Sequence, residues 1–372
     1  MASRVLITGG AGFIGAHVAN ELLAHGYRVR ALDSLVPQVH GPERRRPDYL
    51  SNDVELLVGD IRDQDALSRA LTGMDAVINL VALVGVGQSM YQIAEYTSVN
   101  NYGTANLLQA LSTRPVECLV VASSMSIYGE GLYRAPDGTT CMAADRSLDQ
   151  LKSGDWEIRS AGGEPLVPIP TPEDKTPALA SVYALSKYDQ ERMSLMVGRA
   201  YGMRTVALRF FNTYGPYQAL SNPYTGVLSN FAARVLNGNP PLIYEDGLQK
   251  RDFVSVYDVA GACRRALECE SAAGHAINIS SGVPMTVKEI AERTIRAIGS
   301  PSLEPEITGK YRSGDIRHCF ADISLARKLL DWTPTVTLES GLENLADWLA
   351  GQSALDKGLD ARGELAARGL IL

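Results

Sequence analysis

Tyr183 and Lys187 stand four residues apart in a stretch, 181–200, whose apolar spacing predicts a helix, so the two share one face. A phenol is a poor base at neutral pH, since its reference pKa is about 10. A nearby ammonium, joined by a positive charge on a bound ligand, would favour the phenolate and bring it into the range of general acid–base catalysis. Ser124 follows the apolar run 118–122 and its partner Ser123. That is the carboxyl end of a predicted strand, where a hydroxyl could meet the same substrate oxygen as the tyrosine. Alone, a Tyr-x-x-x-Lys pair is more often a chance helical pair than a catalytic unit.

A second set of residues removes that ambiguity. Gly9, Gly12 and Gly15 recur at intervals of three between the aliphatic run Val5-Leu6-Ile7 and a helical pattern over 11–25, striped by Ile14, Val18, Leu22 and Leu23. Strand, glycine turn and helix together make the context of a phosphate-cradling loop. A side chain at Gly9 would crowd the turn, one at Gly12 would hold a pyrophosphate off, and one at Gly15 would push the helix from the sheet. Phe13 and Ile14 lie in the first turn of this helix, whose free N–H groups and positive dipole end would face the anion. The spacing is GxxGxxG, not GxGxxG, and a tight turn without ligand is the competing reading. Asp33 weighs against it. This acid ends a second apolar stretch, 29–32, about 20 residues past the glycines, where a carboxylate accepts from adenosine ribose hydroxyls and repels a 2′-phosphate. The expected cofactor is therefore NAD, not NADP, and its nicotinamide ring supplies the positive charge near Tyr183.

The whole chain sets the bounds. Its 372 residues, 45% hydrophobic, suffice for one large or two modest domains. A net charge of −7 and the lack of a long basic run make no case for nucleic acid. The five cysteines are scattered without metal-ligand spacing, which predicts free thiols, no metal and a reducing compartment. The first strand begins at once, without a signal peptide, and no 18-residue apolar run exists, so the expectation is a cytoplasmic protein with no membrane span.

Strand and helix patterns alternate from residue 4 to about 124, which predicts an α/β, Rossmann-type doubly wound and mostly parallel sheet with a smaller mixed α/β lobe. Asp60 and Ile61 follow the strand 54–58, and Asp60 could equally accept from an adenine amino group or cap the next helix. Leu80 and Ala82 follow another strand, and Val86 sits in the Gly-rich segment 84–89 on the ligand side of the sheet. Residues 131–181 break the alternation with six prolines and little periodicity. The division expected is a dinucleotide-binding domain of 1–130, 181–215 and 250–280; an insertion or lid on the substrate side at 131–180; a substrate lobe of 216–249 and 281–349; and a C-terminal helix or tail at 350–372. Thr286 and Glu289 form a predicted capping box.

The sequence resembles the extended short-chain dehydrogenases/reductases that act on nucleotide sugars. The marks span nearly the whole chain. They include Thr8-Gly9-Gly10-Ala11-Gly12-Phe13-Ile14-Gly15, Gly59-Asp60-Ile61, Asn100 with Gly103-Thr104, and Ser123-Ser124 with Tyr128-Gly129. Further on come Tyr183 with Lys187, Arg209-Phe210-Phe211-Asn212, Arg251-Asp252-Phe253-Val254, and Arg312 with Gly314-Asp315. Within the family the chain is most similar to the 4-epimerases of dTDP-L-rhamnose and related dTDP-hexoses, on the stretches 123–133, 170–187 and 218–226. That group often carries a Cys-Pro-x-Cys-Gly knuckle in the insertion, where this chain has Arg159-Ser160-Ala161-Gly162-Gly163.

The resemblance implies Ser124, Tyr183 and Lys187 as catalytic residues. It adds Asn100 and Phe210 to the NAD contacts, and it implies Val86, Ser124, Ser126, Asn212, Asn222, Tyr224, Arg251 and Arg312 as substrate contacts, the two arginines as diphosphate clamps. It also implies a homodimer paired through helices 99–111 and 181–200. The expected reaction is C4 epimerisation: Tyr183 takes the C4 hydroxyl proton, hydride passes to NAD, the 4-keto sugar turns over, and both return on the other face. The family's 4,6-dehydratases place Asp-Glu where Met125-Ser126 stands. Its UDP-glucuronate decarboxylases usually place Glu at Ser126 and Arg at Tyr217; both are absent, which weakens decarboxylation. Since loss of CO₂ from a β-keto acid needs little protein chemistry, it stays the alternative, with a non-catalytic NAD-binding scaffold a more distant one.

Overall fold

Val5 and Ile7 pack into one buried cluster with Val18 and Leu22, while Leu6 between them packs into another with Leu67 and Leu107. Alternate residues of one strand thus bury against helices on opposite faces, which requires a sheet covered on both sides. The computed structural model describes residues 3–143, 146–222, 224, 226–312, 315–352 and 358–371, without the side chains of 358–361. Gly314 of the Arg312–Asp315 motif, Pro223 and Thr225 of the 218–226 stretch, and part of the C-terminal segment lie outside the described residues.

The sheet has seven parallel strands: β1 (Arg4–Thr8), β2 (Arg28–Asp33), β3 (Glu55–Val58), β4 (Ala76–Asn79), β5 (Cys118–Ser124), β6 (Arg204–Phe210) and β7 (Ala276–Ile279), in the order β7-β6-β5-β4-β1-β2-β3. This is the Rossmann-type α/β sheet expected. The order reverses between β1 and β4, the switch point at which open α/β sheets bind ligands. Every residue of β4 and β5 is buried.

Helix α1 (Phe13–Ala24) starts two residues later than the apolar pattern suggests. The reason is local: Gly12 stands at the N-cap with extended backbone, φ −75° and ψ 177°, so helical geometry begins only at Phe13. Helix α2 (Gly103–Thr113) is preceded by a π-helical turn, Thr97–Tyr102, that carries Asn100. Helix α3 (Val182–Ala200) is capped by Ser181, and the Thr286–Glu289 capping box forms as expected.

The stretch 131–180 is more regular than its composition suggests. Leu132–Arg134 lies between Thr140–Met142 and Val167–Ile169 in an antiparallel sheet, with a short helix, Leu148–Lys152. Among the described residues its buried apolar cluster is Tyr133, Ile158 and Leu166, with Ala135, Cys141 and Ala143 packed against it. Beside it sits Arg317, fully buried, paired with Glu157 at 2.6 Å, Glu245 at 3.0 Å and Asp246 at 2.6 Å. The Glu130 carboxylate accepts from the backbone N–H groups of Arg317 and His318.

The remaining lobe holds a sheet of Asn212–Tyr214, Lys250–Ser255 and Pro284–Thr286 over a cluster that includes Tyr214, Phe231, Ile290 and Leu345. Near the end of the chain, helix α4 (Gly358–Ala367) buries Leu365 against the body. Among the described residues no helix is long and apolar enough to cross a membrane, no group of side chains could hold a metal ion, and the five cysteines are free.

Candidate active site

At the carboxyl ends of β1, β4, β5 and β6 opens a cavity of about 820 Å³, large for a ligand pocket. Gly9, Gly12, Phe13, Ile14, Gly15, Asp33, Asp60, Ile61, Leu80, Ala82 and Phe210 line one part of it. Val86, Ser124, Ser126, Tyr183, Lys187, Asn212, Asn222, Tyr224, Arg251 and Arg312 line the rest. Asn100 does not. It is fully buried behind the wall, where its amide brackets Leu83 through the N–H at 2.8 Å and the carbonyl at 3.1 Å and donates to Ser186 Oγ at 2.9 Å. Asn100 thereby shapes the loop that lines the cavity.

The glycines divide by cause. A Cβ on Gly15 would lie 2.3 Å from the Gly9 carbonyl oxygen, so the packing of α1 on the loop demands glycine there. Gly9 has φ +71°, which favours glycine on backbone grounds. A Cβ on Gly12 would meet nothing closer than that same oxygen at 3.4 Å. The polypeptide itself tolerates a side chain at Gly12, and the space it would fill belongs to the cavity. The first turn of α1 has no side-chain cap, so its N–H groups are left for an anion. Asp33 accepts from Ala11 N at 3.1 Å and Leu35 N at 2.9 Å, and a carboxylate has further lone pairs for a ribose. Asn212 Oδ1 is buried without a hydrogen-bond partner among the described residues. These features fit NAD.

Asp60 faces the cavity but does not cap the following helix, because Asp63 does, accepting from Asp65 and Ala66. Asp60 is gripped instead by Arg62, whose side-chain hydrogen bonds hold its carboxyl below the usual range.

Ser124 Oγ accepts from Ser126 Oγ at 3.0 Å and from Ser126 N at 3.2 Å, and it lies beside the Tyr183 hydroxyl in the cavity wall. Tyr183 N donates to Ser89 Oγ at 3.0 Å, which ties the first turn of α3 to the Gly-rich loop. Among the protein's own groups, burial pushes the Tyr183 hydroxyl up, and the Ser124 contact opposes this. That direction is opposite to the one expected from an adjacent ammonium. Burial also lowers Lys187 to about 7, and its Nζ donates to Gln190 Oε1 at 2.6 Å. The arrangement holds the phenol neutral, and a bound cation would be needed to favour its phenolate.

Sequence spacing did not reveal what positions Lys187. Gln190 Nε2 donates to Thr104 Oγ1 at 2.7 Å and to the Val81 carbonyl at 3.1 Å. Asn79 Nδ2 reaches Thr104 at 3.4 Å, and Thr8 donates to Asn79 Oδ1 at 2.6 Å. A polar chain thus crosses the switch point from β1 to α3. The motif residue Arg209 is likewise structural, in a buried pair with Glu191 at 2.7 Å.

At the other end of the cavity Arg312 pairs with Asp315 at 2.8 Å and stacks over Tyr244 at 4.9 Å, while Arg251 stands 3.8 Å from Asp315. Asn222 accepts from Gln38 at 3.0 Å. Tyr217 is not in the cavity wall. With φ +73° it is stacked between Tyr49 and His17, at 4.7 and 4.8 Å. Its side chain does not line the place of a substrate carboxylate, so the argument against decarboxylation loses the support of position 217 and rests on Ser126.

A doubly wound sheet whose switch point joins a glycine loop, a strand-end serine and a Tyr-x-x-x-Lys pair defines a dinucleotide-dependent enzyme of the short-chain dehydrogenase/reductase type. The model of the NAD dependent epimerase/dehydratase family matches residues 5–147 and 161–280. The chain belongs to that family, among its extended members, and is an NAD-dependent enzyme. It is 35% identical over 356 residues to a dTDP-L-rhamnose 4-epimerase of Burkholderia thailandensis, covering 93% of this chain and 95% of the relative. It is 29% identical to a UDP-N-acetyl-alpha-D-glucosaminuronate decarboxylase of Bacillus cytotoxicus, covering 94% and 98%. A UDP-glucose 4-epimerase of Thermus thermophilus, solved in complex with NAD, superposes with a TM-score of 0.73 at 30% identity, covering 94% and 99%.

Proposed function

We propose that the protein is a nucleotide-sugar 4-epimerase that works through a transient 4-keto sugar, with a dTDP-linked deoxyhexose as substrate. The observation that carries this reading is the wall beside Tyr183. Ser124 and Ser126 share a hydrogen bond there, and Met125-Ser126 replaces the acidic pair an elimination would need. Bound NAD supplies reversible hydride acceptance. The chain does the rest. Tyr183 removes the C4 hydroxyl proton and returns it, Ser124 bonds the same oxygen, Lys187 is held on the same helix face by Gln190, and the charge that favours the phenolate is that of the bound nicotinamide. Arg251 and Arg312 hold the diphosphate while the sugar turns. Ser126, Asn222 and Tyr224 make an uncharged surround that suits a C6 methyl better than a carboxylate.

The same reading includes a homodimer through the helical stretches 99–111 and 181–200, in support of which Tyr102, Leu185 and Met196 are exposed. The test is incubation with dTDP-L-rhamnose beside UDP-glucuronate, without added cofactor, followed by mass spectrometry and NMR. Interconversion of C4 isomers at constant mass is expected. The Bacillus cytotoxicus relative gives the alternative its weight: a product lighter by CO₂ from UDP-glucuronate, with no hexose isomers formed, would replace the epimerase by a decarboxylase.

A further inference from the structure

The C-terminal segment packs on the mouth of the cavity. Leu365 and Leu370 line it, and a Cβ on Gly87 would lie 3.1 Å from Leu365 Cδ2, so α4 rests directly on the Gly-rich loop. Tyr91 and Tyr224 donate to one oxygen of Glu364 at 2.7 and 2.8 Å, with their own hydroxyls 2.7 Å apart. Arg368 stacks over the Tyr91 ring at 4.2 Å, and Ile371 forms a backbone bridge with Arg312. Two residues assigned above to the substrate, Tyr224 and Arg312, are therefore held in place by residues from the last turns of the chain.

Charge gives this packing a purpose. Arg362 also lines the cavity, 6.0 Å from the centroid of the Tyr244 ring on which Arg312 stacks at 4.9 Å. Arg251 and Arg312 share Asp315, whereas Arg362 has no ion pair among the described residues. Three guanidinium groups against one carboxylate leave two positive charges, the complement of a diphosphate diester.

We propose that the C-terminal segment is a wall of the substrate site, in which Arg362 is a third diphosphate-binding guanidinium and Glu364 is a positioning residue for Tyr224. This rests on the nucleotide-sugar reading above and deepens it. The segment closes the site from the side opposite the sheet, so bound substrate and tail order each other.

Calorimetric titration of the full-length, NAD-loaded protein with dTDP, UDP and thymidine tests this. Arg362→Ala should weaken dTDP or UDP binding about ten- to hundredfold, the effect of one charge-assisted contact, and leave thymidine unchanged. Leu365→Asp, which lifts the segment, should weaken all three. Glu364→Ala should raise KM with little change in kcat, with partial rescue in Glu364→Gln. Saturating dTDP should slow tryptic cleavage at Arg362 and Arg368 in the unmodified protein. Retained NAD and an unchanged melting profile certify the fold of each variant. Wild-type affinity in Arg362→Ala and Leu365→Asp, with no protection by dTDP, would overturn the tail assignment and leave the epimerase reading standing. Failure of the unmodified protein to bind either nucleoside diphosphate would overturn both.

Discussion

The dinucleotide half and the 131–180 insertion solve the same problem by different means. The first buries aliphatic side chains on both faces of a seven-stranded sheet, with Val5, Leu6, Ile7, Leu107, Leu119 and Ile277 fully out of water. The second has three-residue strands and, among the described residues, a small apolar cluster around Tyr133, Ile158 and Leu166, and it is tied to the body through the fully buried Arg317 and its three carboxylates. A large sheet can rely on area. A small excursion cannot, and here an ion cluster takes that part. Apolar burial changes little with pH, but an ion cluster depends on the charge of each member, so the two regions should respond differently to the same perturbation.

The largest effect is expected at the site that the sheet and α3 position together. Tyr183→Phe keeps the ring and removes the ionisable hydroxyl, so turnover should fall by about 10²–10⁴-fold while bound NAD and melting temperature persist. Near wild-type rates would detach the chemistry from the sheet's most legible motif. Arg317→Met should destabilise by about 3 kcal/mol, since it removes the buried guanidinium shared by Glu157, Glu245 and Asp246 and leaves Glu245 with Arg146 alone. Leu6→Ala, with a cavity left in the sheet, should cost about the same. Hydrogen exchange separates the two: Arg317→Met should release the strands of 132–169 before β1, β4 and β5. Release of the whole molecule together would erase the distinction drawn here.

Acid sharpens it further. The His318 hydrogen bond, then Arg317, holds the Glu157 carboxyl down at about 2 against an ordinary 4.5. A depressed carboxyl contributes stability that is present above 4.5 and is lost as pH falls toward 2. Exchange rates, corrected for intrinsic pH dependence, should rise in the insertion over that window and stay flat in the sheet. The smallest structural effect belongs to Gly12→Ala. Its Cβ has room within the protein, so unfolding free energy should move by less than about 1 kcal/mol. NAD retained through purification should fall sharply, whereas Gly15→Ala should lose stability and NAD together.

The sequence alone determined the doubly wound sheet, the glycine loop, the Asp33 acid and the Ser124–Tyr183–Lys187 set, because each is written in short-range terms. Strand alternation, a glycine every third residue, an acid at a strand end and a four-residue helical interval are all fixed by local geometry. Residue identity, however, did not fix the part played. Asn100 proved to lie behind the wall, Tyr217 in an aromatic stack, and Asp60 in the grip of Arg62, with Asp63 taking the cap. The tertiary structure decided those, and also the Thr8–Asn79–Thr104–Gln190 chain that seats Lys187, the ion cluster around Arg317, and the return of Glu364 and Leu365 to the cavity. Each joins residues far apart in the chain. No spacing rule links such partners, since what brings them together is the burial of the sheet and the packing of loops that the sheet then positions.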